Sequence, residues 1–419
     1  MQRTTTIFLI AMILGFASCA NWAVLVAGSN GFYNYRHQAD ICHAYQTLIK
    51  GGIPASNIIV MAYNDIANNT QNPVPGKLFN KSNGPDVYAG CVIDYQGADV
   101  TPAVFLSILA QDANAVKGKG TGRVLKSTSA DNVFINFSDH GAPGLIAFPS
   151  QYLYATDLTP VLLSMNTKKQ YAKCTFYLEA CESGSMFVNF PTNQNLYALT
   201  AANPNESSWA DYCPPADVVN NGQTHIGSCL GDLFSTNWME DTDANNTSIE
   251  TLQAQYLKVQ QLTTQSHVMQ YGDLSFTSNM VSTFVGNENP SSVSKSEKHD
   301  SLTNVRDIKL MYLINRHAKL MTPETQSELN DEIKMRKYYD DLFISIKALH
   351  PEIPTALNTD FTCYKDMISS FEGACGKFTE YGYKYMRVFY DLCNAESANK
   401  ASVKSLFTKV CIGANTFSM

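Results

Sequence analysis

Two apolar, β-prone segments of this sequence end in residues that can carry out chemistry. One ends in Glu179 and is followed by Cys181 and a Ser-Gly-Ser turn, and the other ends in Asp139, His140 and Gly141. Because parallel strands open onto one edge of a sheet, His140 and Cys181 are expected to lie together. An imidazole can take a thiol proton, and a glycine leaves its N–H free to approach an oxyanion. The pattern predicts cysteine nucleophilic catalysis.

A structural cysteine is the main alternative to a nucleophile. Cysteines in apolar segments are mostly packing residues, and we expect this of Cys42, Cys91 and Cys174. Cys181 differs because an acid, a turn and the upstream Asp-His-Gly segment accompany it. The sequence lacks C-x-x-C pairs, so we predict no zinc ribbon, no other metal site and no cofactor.

Polar residues follow two further predicted strands. Asn34, Arg36 and His37 follow the first, and an arginine at a sheet edge can bind a carboxylate or a carbonyl. The Gly-x-x-Gly pair there lacks the Lys-Ser/Thr of a phosphate loop. After the fifth strand come Ser207, Ser208, Trp209 and Asp232.

Five apolar segments, separated by helical stretches, are predicted to position these residues. Such alternation is typical of a mainly parallel α/β sheet covered on both faces. Helices are predicted at 38–52 and 101–116. The predicted strands are 21–29, 57–63, 132–141, 174–182 and 195–204.

The sequence changes character after about residue 282. A polar stretch without a hydrophobic period, residues 285–304, predicts a linker or exposed segment. Helical spacing then returns without strand signals, and four cysteines fall between residues 363 and 411. We predict an α/β domain over 21–282 and a separate all-α domain from about residue 305 to 419 that holds these cysteines. The spacing of the four cysteines permits three pairings.

The 419-residue chain has a net charge of −7 and no long basic run, which argues against nucleic-acid binding. Arg3, an apolar run and small residues up to Ala20 predict a signal peptide over 1–20. No later segment reaches the roughly 18 apolar residues of a membrane helix. We therefore expect a soluble protein of the secretory pathway, where disulfides form.

Two kinds of covalent modification are predicted. A disulfide Cys213–Cys229 is expected to close a loop rich in proline and asparagine, with a free pair as the alternative. Asn136 lies within a predicted strand and is expected to be too buried for a glycan. Candidate surface glycosylation sites are Asn68, Asn80, Asn205, Asn245 and Asn246.

Seven stretches between residue 21 and about residue 275 resemble legumain, the asparaginyl endopeptidase family of cysteine proteases. They include "NWAVLVAGSNGFYNYRHQAD", "VFINFSDHGAPGLIAFP" and "FYLEACESGSMF". The resemblance implies a caspase-like fold, with Cys181 as nucleophile, His140 as catalytic histidine and Asn34 as third member of the triad. It also implies that Asp139 can cyclise to a succinimide.

The resemblance further implies cleavage after Asn, and less readily after Asp at acidic pH. A carboxamide both accepts and donates hydrogen bonds, so its pocket needs a cation and carboxylates. Protonation of the acidic wall would relax the exclusion of Asp. The loop between Cys213 and Cys229 is similar to that of plant members, which implies a possible ligase activity. The implied pocket residues are Arg36, His37, Glu179, Ser207 and Asp232, with Ser208 and Trp209 in the substrate cleft.

Members of this family are zymogens, so 283–320 would be an activation segment and 321–419 a prodomain that covers the active site until acid releases it. The implied late disulfides are Cys363–Cys393 and Cys375–Cys411. Acidic groups near the site are expected to face basic residues of the tail, and carboxylate protonation is expected to weaken that contact. The basic residues are Arg306, Arg316, Lys319 and Lys334.

The sequence departs from the family at the usual processing asparagine, where Thr322 follows "KLM". Alternatives are Asn304, Asn315 and Asn330, whereas Asn289 precedes a proline and is a poor candidate. Implied partners are peptides and proteins with Asn at the cleavage site, the chain's own prodomain and cystatin-type inhibitors. The implied location is a lysosome or vacuole, or outside the cell.

Two other functions are alternatives to a protease. A related subunit of the lipid-anchor transamidase shares the Cys/His pattern, but it would be expected to carry a transmembrane tail. The helical, cysteine-rich C-terminus favours the protease. A secreted disulfide-bonded binding protein would leave Asn34, His140 and Cys181 unexplained.

Overall fold

The computed structural model describes residues 19–287, 301–349, 352–395 and 398–411. Most of the predicted signal peptide (residues 1–18) and Asn289 lie outside this part of the chain. In chain order the strands are β1 (Asn21–Ala27), β2 (Ile58–Met61), β3 (Asn132–Ser138), β4 (Gly141–Ala142), β5 (Leu145–Ala147), β6 (Tyr152–Tyr154), β7 (Lys173–Glu179), β8 (Leu196–Thr200), β9 (Trp209–Asp211), β10 (Val218–Val219), β11 (Thr224–His225), β12 (Gly231–Asp232), β13 (Met269–Gly272) and β14 (Thr303–Asn304). The α-helices are α1 (Tyr35–Lys50), α2 (Pro102–Leu109), α3 (Ala155–Thr167), α4 (Leu233–Ala244), α5 (Leu252–Leu262), α6 (Ser282–Val285), α7 (Ile308–Leu320), α8 (Pro323–Leu349), α9 (Phe361–Cys375), α10 (Met386–Asn394) and α11 (Lys400–Cys411).

The central sheet has six strands in the order β13-β8-β7-β3-β1-β2. Its five predicted strands are all parallel to one another, and only β13 is antiparallel, at one edge. Every residue of β3 is buried, which explains why its sequence is mostly apolar on both faces of the sheet. The predicted mainly parallel sheet is confirmed. Strand β13 was not predicted because its residues, Met-Gln-Tyr-Gly, carry no apolar run.

The register of this sheet aligns the ends of its strands. Ser138 of β3 pairs with Glu179 of β7, and Ala27 of β1 pairs with Ser138. His140 and Cys181 therefore each lie two residues beyond the same paired position. Parallel pairing at this register places both at one edge of the sheet, as predicted.

Helices cover both faces of the sheet. On one face, α2 and α3 contribute residues to a core with β1, β3 and β7. On the other, α1, α4 and α5 pack against the same strands. Trp238 of α4 is fully buried there, edge-on to Phe134 and Tyr177. Helix α2 ends at Leu109, before the predicted residue 116, because Gln111 has a φ of 60° and its side chain hydrogen-bonds the Ser127 carbonyl.

The C-terminal part is all-α, as predicted. Helices α8 to α11 enclose an aromatic core in which Phe343 and Tyr385 stack at 4.6 Å, and Phe371 and Phe378 at 4.2 Å. The chain forms the disulfides Cys363–Cys393 and Cys375–Cys411, the two pairs that the family resemblance implies.

The C-terminal part packs directly on the α/β part. Ala142 and Leu145, in β4 and β5, belong to the same hydrophobic cluster as α9 and α10. Between them lies Gly144, whose φ is +68°, and a Cβ there would come within 2.7 Å of Phe361 and 3.1 Å of Tyr390. A glycine is therefore required both by the turn and by the contact.

The cysteines outside the C-terminal part pair more fully than predicted. Cys213–Cys229 forms as expected. The prediction that Cys42 and Cys91 are packing residues is wrong, because they form a disulfide with a Cα–Cα distance of 5.6 Å. The two cysteines are 49 residues apart in the sequence, and the chain between them folds back onto α1. Cys174 is buried and unpaired, as a packing residue should be.

One predicted glycosylation site is wrong. Asn80 is 2% exposed, and its amide donates to Asp40 and to the Leu230 carbonyl. An oligosaccharide cannot reach it in the folded protein. Asn136 is 1% exposed, in line with its predicted burial. Asn68 and Asn205 are exposed and Asn245 and Asn246 are half-buried, and their glycosylation stays a prediction.

The described part of the implied activation segment, residues 301–320, is folded against the rest of the molecule. It contains β14 and α7, and Tyr312 and Leu313 of α7 join a hydrophobic cluster with Phe32 and Tyr35. In the ranges that the structure describes, no helix combines the length and apolar character that a membrane crossing requires.

Candidate active site

Cys181 is fully buried in the turn that follows β7. The Ser208 N–H donates to its Sγ at 3.3 Å. A Cβ on Gly141 would come within 2.4 Å of the Cys181 carbonyl oxygen, so only glycine allows the two strand ends to approach this closely. Burial raises the pKa of the Cys181 thiol, and the nearby Arg306 opposes that shift. The thiol is therefore protonated at neutral pH in this arrangement.

His140 is held by Asn34. Its Nε2 lies 2.9 Å from Asn34 Oδ1, whereas Nδ1 is buried without a hydrogen-bond partner. Burial lowers the pKa of His140. Because an amide oxygen only accepts, we assign the proton of the neutral ring to Nε2, which leaves the Nδ1 lone pair free to take a proton.

Asp139 precedes the histidine and is also buried. Neither carboxylate oxygen has a hydrogen-bond partner among side chains, and His37 Nδ1 lies 3.6 Å away. Burial raises the pKa of Asp139, so the carboxyl favours its neutral form. Atoms of His37, Asp139 and His140 lie within 4.8 Å of one another, but Ser29 and Asn34 already hydrogen-bond the two rings. We interpret the group as part of the catalytic centre rather than as metal ligands.

A buried ion pair lies beside His140 and Asn34. Arg36 Nε donates to Asp232 Oδ1 at 2.8 Å, and both side chains are at most 1% exposed. His37 Nε2 lies 3.4 Å from the other oxygen of Asp232. Arg36 and His37 come from the first turn of α1, and Asp232 comes from the strand just before α4.

Three atoms of this pocket lack hydrogen bonds although they are buried: Arg36 Nη2, Asp232 Oδ2 and Glu179 Oε1. The other oxygen of Glu179 accepts from the backbone and hydroxyl of Ser235. Burial, and then the charge of Asp232, raise the pKa of Glu179. Buried polar groups are nearly always paired, so a ligand with both a donor and an acceptor suits this pocket.

Asp40 supports the pocket and was missed by the sequence analysis. Its carboxylate accepts from Asn80 at 2.8 Å and from the Ser138 hydroxyl at 3.0 Å. It also accepts from the backbone N–H of Asp232. Asp40 lies four residues after Arg36 on α1, so both side chains lie on the same face of the helix. This spacing was the feature of the sequence from which Asp40 could have been predicted as a pocket residue.

The substrate-cleft candidates lie beside β9. Trp209 is in β9, and Ser208 directly precedes it. Strand β14 pairs antiparallel with β9, with Asn304 opposite Trp209, and the Val305 N–H donates to the Ser208 carbonyl. Ser207 is half-buried. A segment of the predicted linker thus adds a strand at the cleft, in the manner of a bound peptide.

Only one of the basic residues expected at the interface meets an acid of the site. Arg306 Nη2 donates to Glu182 at 2.8 Å and to the Gly141 carbonyl at 2.7 Å. The expectation is wrong for Arg316 and Lys334, which pair with acids of their own helical region. Those acids are Glu328 and Asp331. Lys319 lies at a cavity of about 710 Å³ between α7 and the 213–229 loop.

The C-terminal part contacts Asn34 and His140 through an acid, and not through one of the basic residues that were expected there. Asn34 Nδ2 donates to Glu380 Oε1 at 2.6 Å, and His140 Nε2 lies 3.3 Å from the same oxygen. The sequence offered no signal for this contact, because Glu380 is one of many charged residues until the C-terminal part is docked.

Comparisons with known proteins show the family to which the chain belongs. Residues 21–287 match the model of the Peptidase C13 family, and residues 327–411 match the model described as legumain, prodomain. Legumain of Mus musculus is 41% identical over 397 residues, covering 90% of this chain and 89% of that protein. The vacuolar-processing enzyme delta-isozyme of Arabidopsis thaliana is 41% identical over 422 residues, covering 93% and 90%.

Among solved structures, caspase-1 from Spodoptera frugiperda matches 67% of this chain and 92% of its own, at 9% identity and a TM-score of 0.35. The fold and the matches define a cysteine endopeptidase made with a C-terminal prodomain. The chain belongs to the Peptidase C13 family and is a legumain-type enzyme.

Proposed function

We propose that this protease cleaves peptide bonds after asparagine. The observation that carries the proposal is the set of three buried atoms in the pocket, on Arg36, Glu179 and Asp232, that have no hydrogen-bond partner. The guanidinium can donate to the oxygen of an Asn carboxamide, and the carboxylates can accept from its nitrogen. A side chain that leaves these buried groups unpaired is disfavoured, so Gln and Ala should be poor substrates.

The proposed mechanism uses Cys181, His140 and Asn34. As Sγ attacks the carbonyl carbon, the thiol proton passes to His140, whose orientation Asn34 maintains. The Gly141 N–H is the proposed oxyanion donor. The C–N bond then breaks, the leaving amine takes the proton from His140, and a thioester remains. Water attacks the thioester carbonyl and gives a proton to His140. The C–S bond then breaks, the carboxylic acid product leaves, and His140 returns the proton to Sγ.

Acidic pH is proposed to relax the distinction between Asn and Asp. An Asp carboxylate would repel the ionised Glu179 and Asp232, but it can act as a donor once a shared proton is available. Because burial raises the pKa values of both pocket carboxyls, this relaxation begins above their ordinary range. The proposed selectivity for Asn therefore narrows as the pH falls.

Latency is proposed to result from the prodomain and the segment before it, which cover the catalytic centre. Strand β14 and Arg306 occupy the cleft, and Arg387 hydrogen-bonds the Pro204 carbonyl. Release in acid, followed by proteolysis, would open the cleft. Of the proposed processing residues, Asn315 and Asn330 lie in helices and Asn304 in β14, whereas Thr322 lies between α7 and α8.

Peptide ligation is a second proposed activity. An incoming peptide amine in place of water would resolve the thioester with a new peptide bond. The disulfide-closed 213–229 loop lines a cavity of about 710 Å³, which could hold such a peptide. An acidic compartment of the secretory pathway is the proposed site of action, since four disulfides require oxidising conditions.

The test is hydrolysis of fluorogenic Ala-Ala-Asn, Ala-Ala-Asp and Ala-Ala-Gln peptides after acid incubation, beside the Cys181→Ala protein. We expect activity on Asn, less on Asp, almost none on Gln, and none in the variant. Equal rates on Asn and Gln would refute the pocket assignment, and full activity in the variant would refute the nucleophile.

A further inference from the structure

The C-terminal part places a carboxylate on the two residues that activate the nucleophile. Glu380 lies in the segment between α9 and α10, and it is 346 residues from Asn34 in the sequence. Its Oε1 accepts from Asn34 Nδ2 at 2.6 Å and lies 3.3 Å from His140 Nε2. No other acid in the described part of the C-terminal region is paired with either residue.

We propose that Glu380 is the residue by which the prodomain inactivates the catalytic centre, and that the Asn34–His140 pair acts as its carboxylate-binding site. The inference rests on the proposed roles of Asn34 and His140. In the proposed mechanism the Asn34 side-chain oxygen accepts from His140. Glu380 accepts a hydrogen bond from the nitrogen of the same amide. The proton on Nε2 is then shared between an amide oxygen and a carboxylate.

The charges around Glu380 favour an ionised carboxylate. From the catalytic part it faces His140, Arg36, Tyr33 and the buried Asp139. From α7 and its own segment it faces Lys309 and Tyr383, and the Arg306 guanidinium donates to its backbone carbonyl. Glu332 of α8 lines the same cavity as Glu380, where it pairs with Lys309. The cations and donors outnumber these two acids, and the Glu380 side chain keeps 20% of its surface exposed.

These surroundings give the contact a definite pH dependence. Burial alone would raise the pKa of Glu380, but the His140 charge and the hydrogen bonds of His140 and Asn34 outweigh burial and lower it to about 2. A released prodomain would have the ordinary value, near about 4.3. The contribution of Glu380 to docking is thus complete above that value and is lost as the pH falls toward 2.

Burial lowers the pKa of His140, whereas the charge of Glu380 and its hydrogen bond with this ring raise it. Protonation of His140 would therefore strengthen its attraction to Glu380. The loss of docking in acid is assigned to Glu380 itself, which takes up a proton below about 4.3. Glu182 does not contribute to this release, because burial raises its pKa in the covered form.

The experiment compares the intact chain with Glu380→Gln and Glu380→Ala. The matched control is Glu372→Gln. Glu372 also accepts a hydrogen bond across the interface, from the Tyr152 hydroxyl at 2.7 Å, but it does not contact Asn34 or His140. The readout is the rate of Cys181 alkylation by iodoacetamide between pH 3 and 7, with Cys181→Ala as the blank. Alkylation does not depend on which peptide is cleaved, so a failure of the Asn specificity leaves this readout interpretable.

We expect both Glu380 variants to be alkylated roughly tenfold to a few hundredfold faster than wild type at neutral pH. Their rates should also lose the pH dependence that wild type has below about 4.3, while Glu372→Gln follows wild type. Wild-type rates in both Glu380 variants would overturn the proposal. An equal acceleration in Glu372→Gln would also overturn it, since that result means general loosening of the interface. Melting temperatures confirm that each variant is folded.

Discussion

The catalytic edge of the sheet and the core of the prodomain differ in how they treat buried polar groups. At the sheet edge, Arg36, Glu179 and Asp232 are buried with atoms that have no hydrogen-bond partner. In the prodomain, Phe343 and its aromatic neighbours fill the interior, and two disulfides connect its helices. The aromatic core also leaves the buried hydroxyl of Tyr364 without a hydrogen-bond partner, and it continues into Ala142 and Leu145 of the α/β part. The two regions therefore differ in the kind of group they bury, which is charged at the sheet edge and mostly apolar in the core.

The largest effect is expected at the nucleophile. Cys181→Ala should lower kcat/KM by at least ~10³-fold, since no other described group near His140 offers a thiol. The thermal unfolding of the intact chain should change by less than ~1 kcal/mol, because the side chain loses one atom. Steady-state kinetics and calorimetry test both statements. A large loss of stability would show that Cys181 is a packing residue.

The core of the prodomain should respond in the opposite way. Phe343→Ala removes a fully buried ring that stacks on Tyr385, and it should cost about 3–5 kcal/mol of unfolding free energy in this part. The processed protease should retain its activity. Ile344→Ala is the matched control, because Ile344 is 65% exposed. Equal destabilisation by both changes would contradict the assignment of the aromatic core.

A smaller effect is expected in the pocket. Glu179→Gln keeps the shape but removes an acceptor charge, and it should reduce the preference for Asn over Asp at pH 6 by roughly tenfold. The same preference in wild type should fall as the pH is lowered, so the two curves should converge in acid. The kcat/KM ratio of the two substrates across pH measures this. A ratio that does not depend on pH would argue against titration of the pocket.

The smallest effect is expected at the surface. Lys337 and Asp341 form an ion pair on α8 with side chains 75% and 63% exposed. Lys337→Ala should change the unfolding free energy by less than about 0.5 kcal/mol and leave latency unchanged. A chemical denaturation curve is sufficient to check it. A larger effect would mean that the exposed face of α8 contacts something beyond this chain.

The sequence predicted the features that depend on local pattern. Apolar runs ending in polar residues located β3 and β7, and parallel pairing then placed His140 near Cys181. Features that depend on distant contacts were missed. Cys42 and Cys91 are 49 residues apart, and neither neighbourhood predicts the fold-back that joins them.

The charged residues through which the C-terminal part contacts the site were also difficult to predict from the sequence. Counting charges predicted basic residues of the tail against acids of the site, which holds for Arg306 and Glu182 alone. Arg316 pairs with Glu328, twelve residues later in the next helix, and Lys334 pairs with Asp331, three residues earlier in its own helix. These local pairs form instead. Glu380 reaches Asn34 only where the C-terminal part packs on the α/β part, which no local pattern encodes.

The most direct test of the central claim is a crystal structure of the Cys181→Ala protein, processed by the wild-type enzyme, with an Ala-Ala-Asn peptide bound. We predict that the Asn carboxamide oxygen accepts from Arg36 Nη2, while its nitrogen donates to Glu179 or Asp232. An Asn side chain outside this pocket, with the three atoms still unpartnered, would contradict the account.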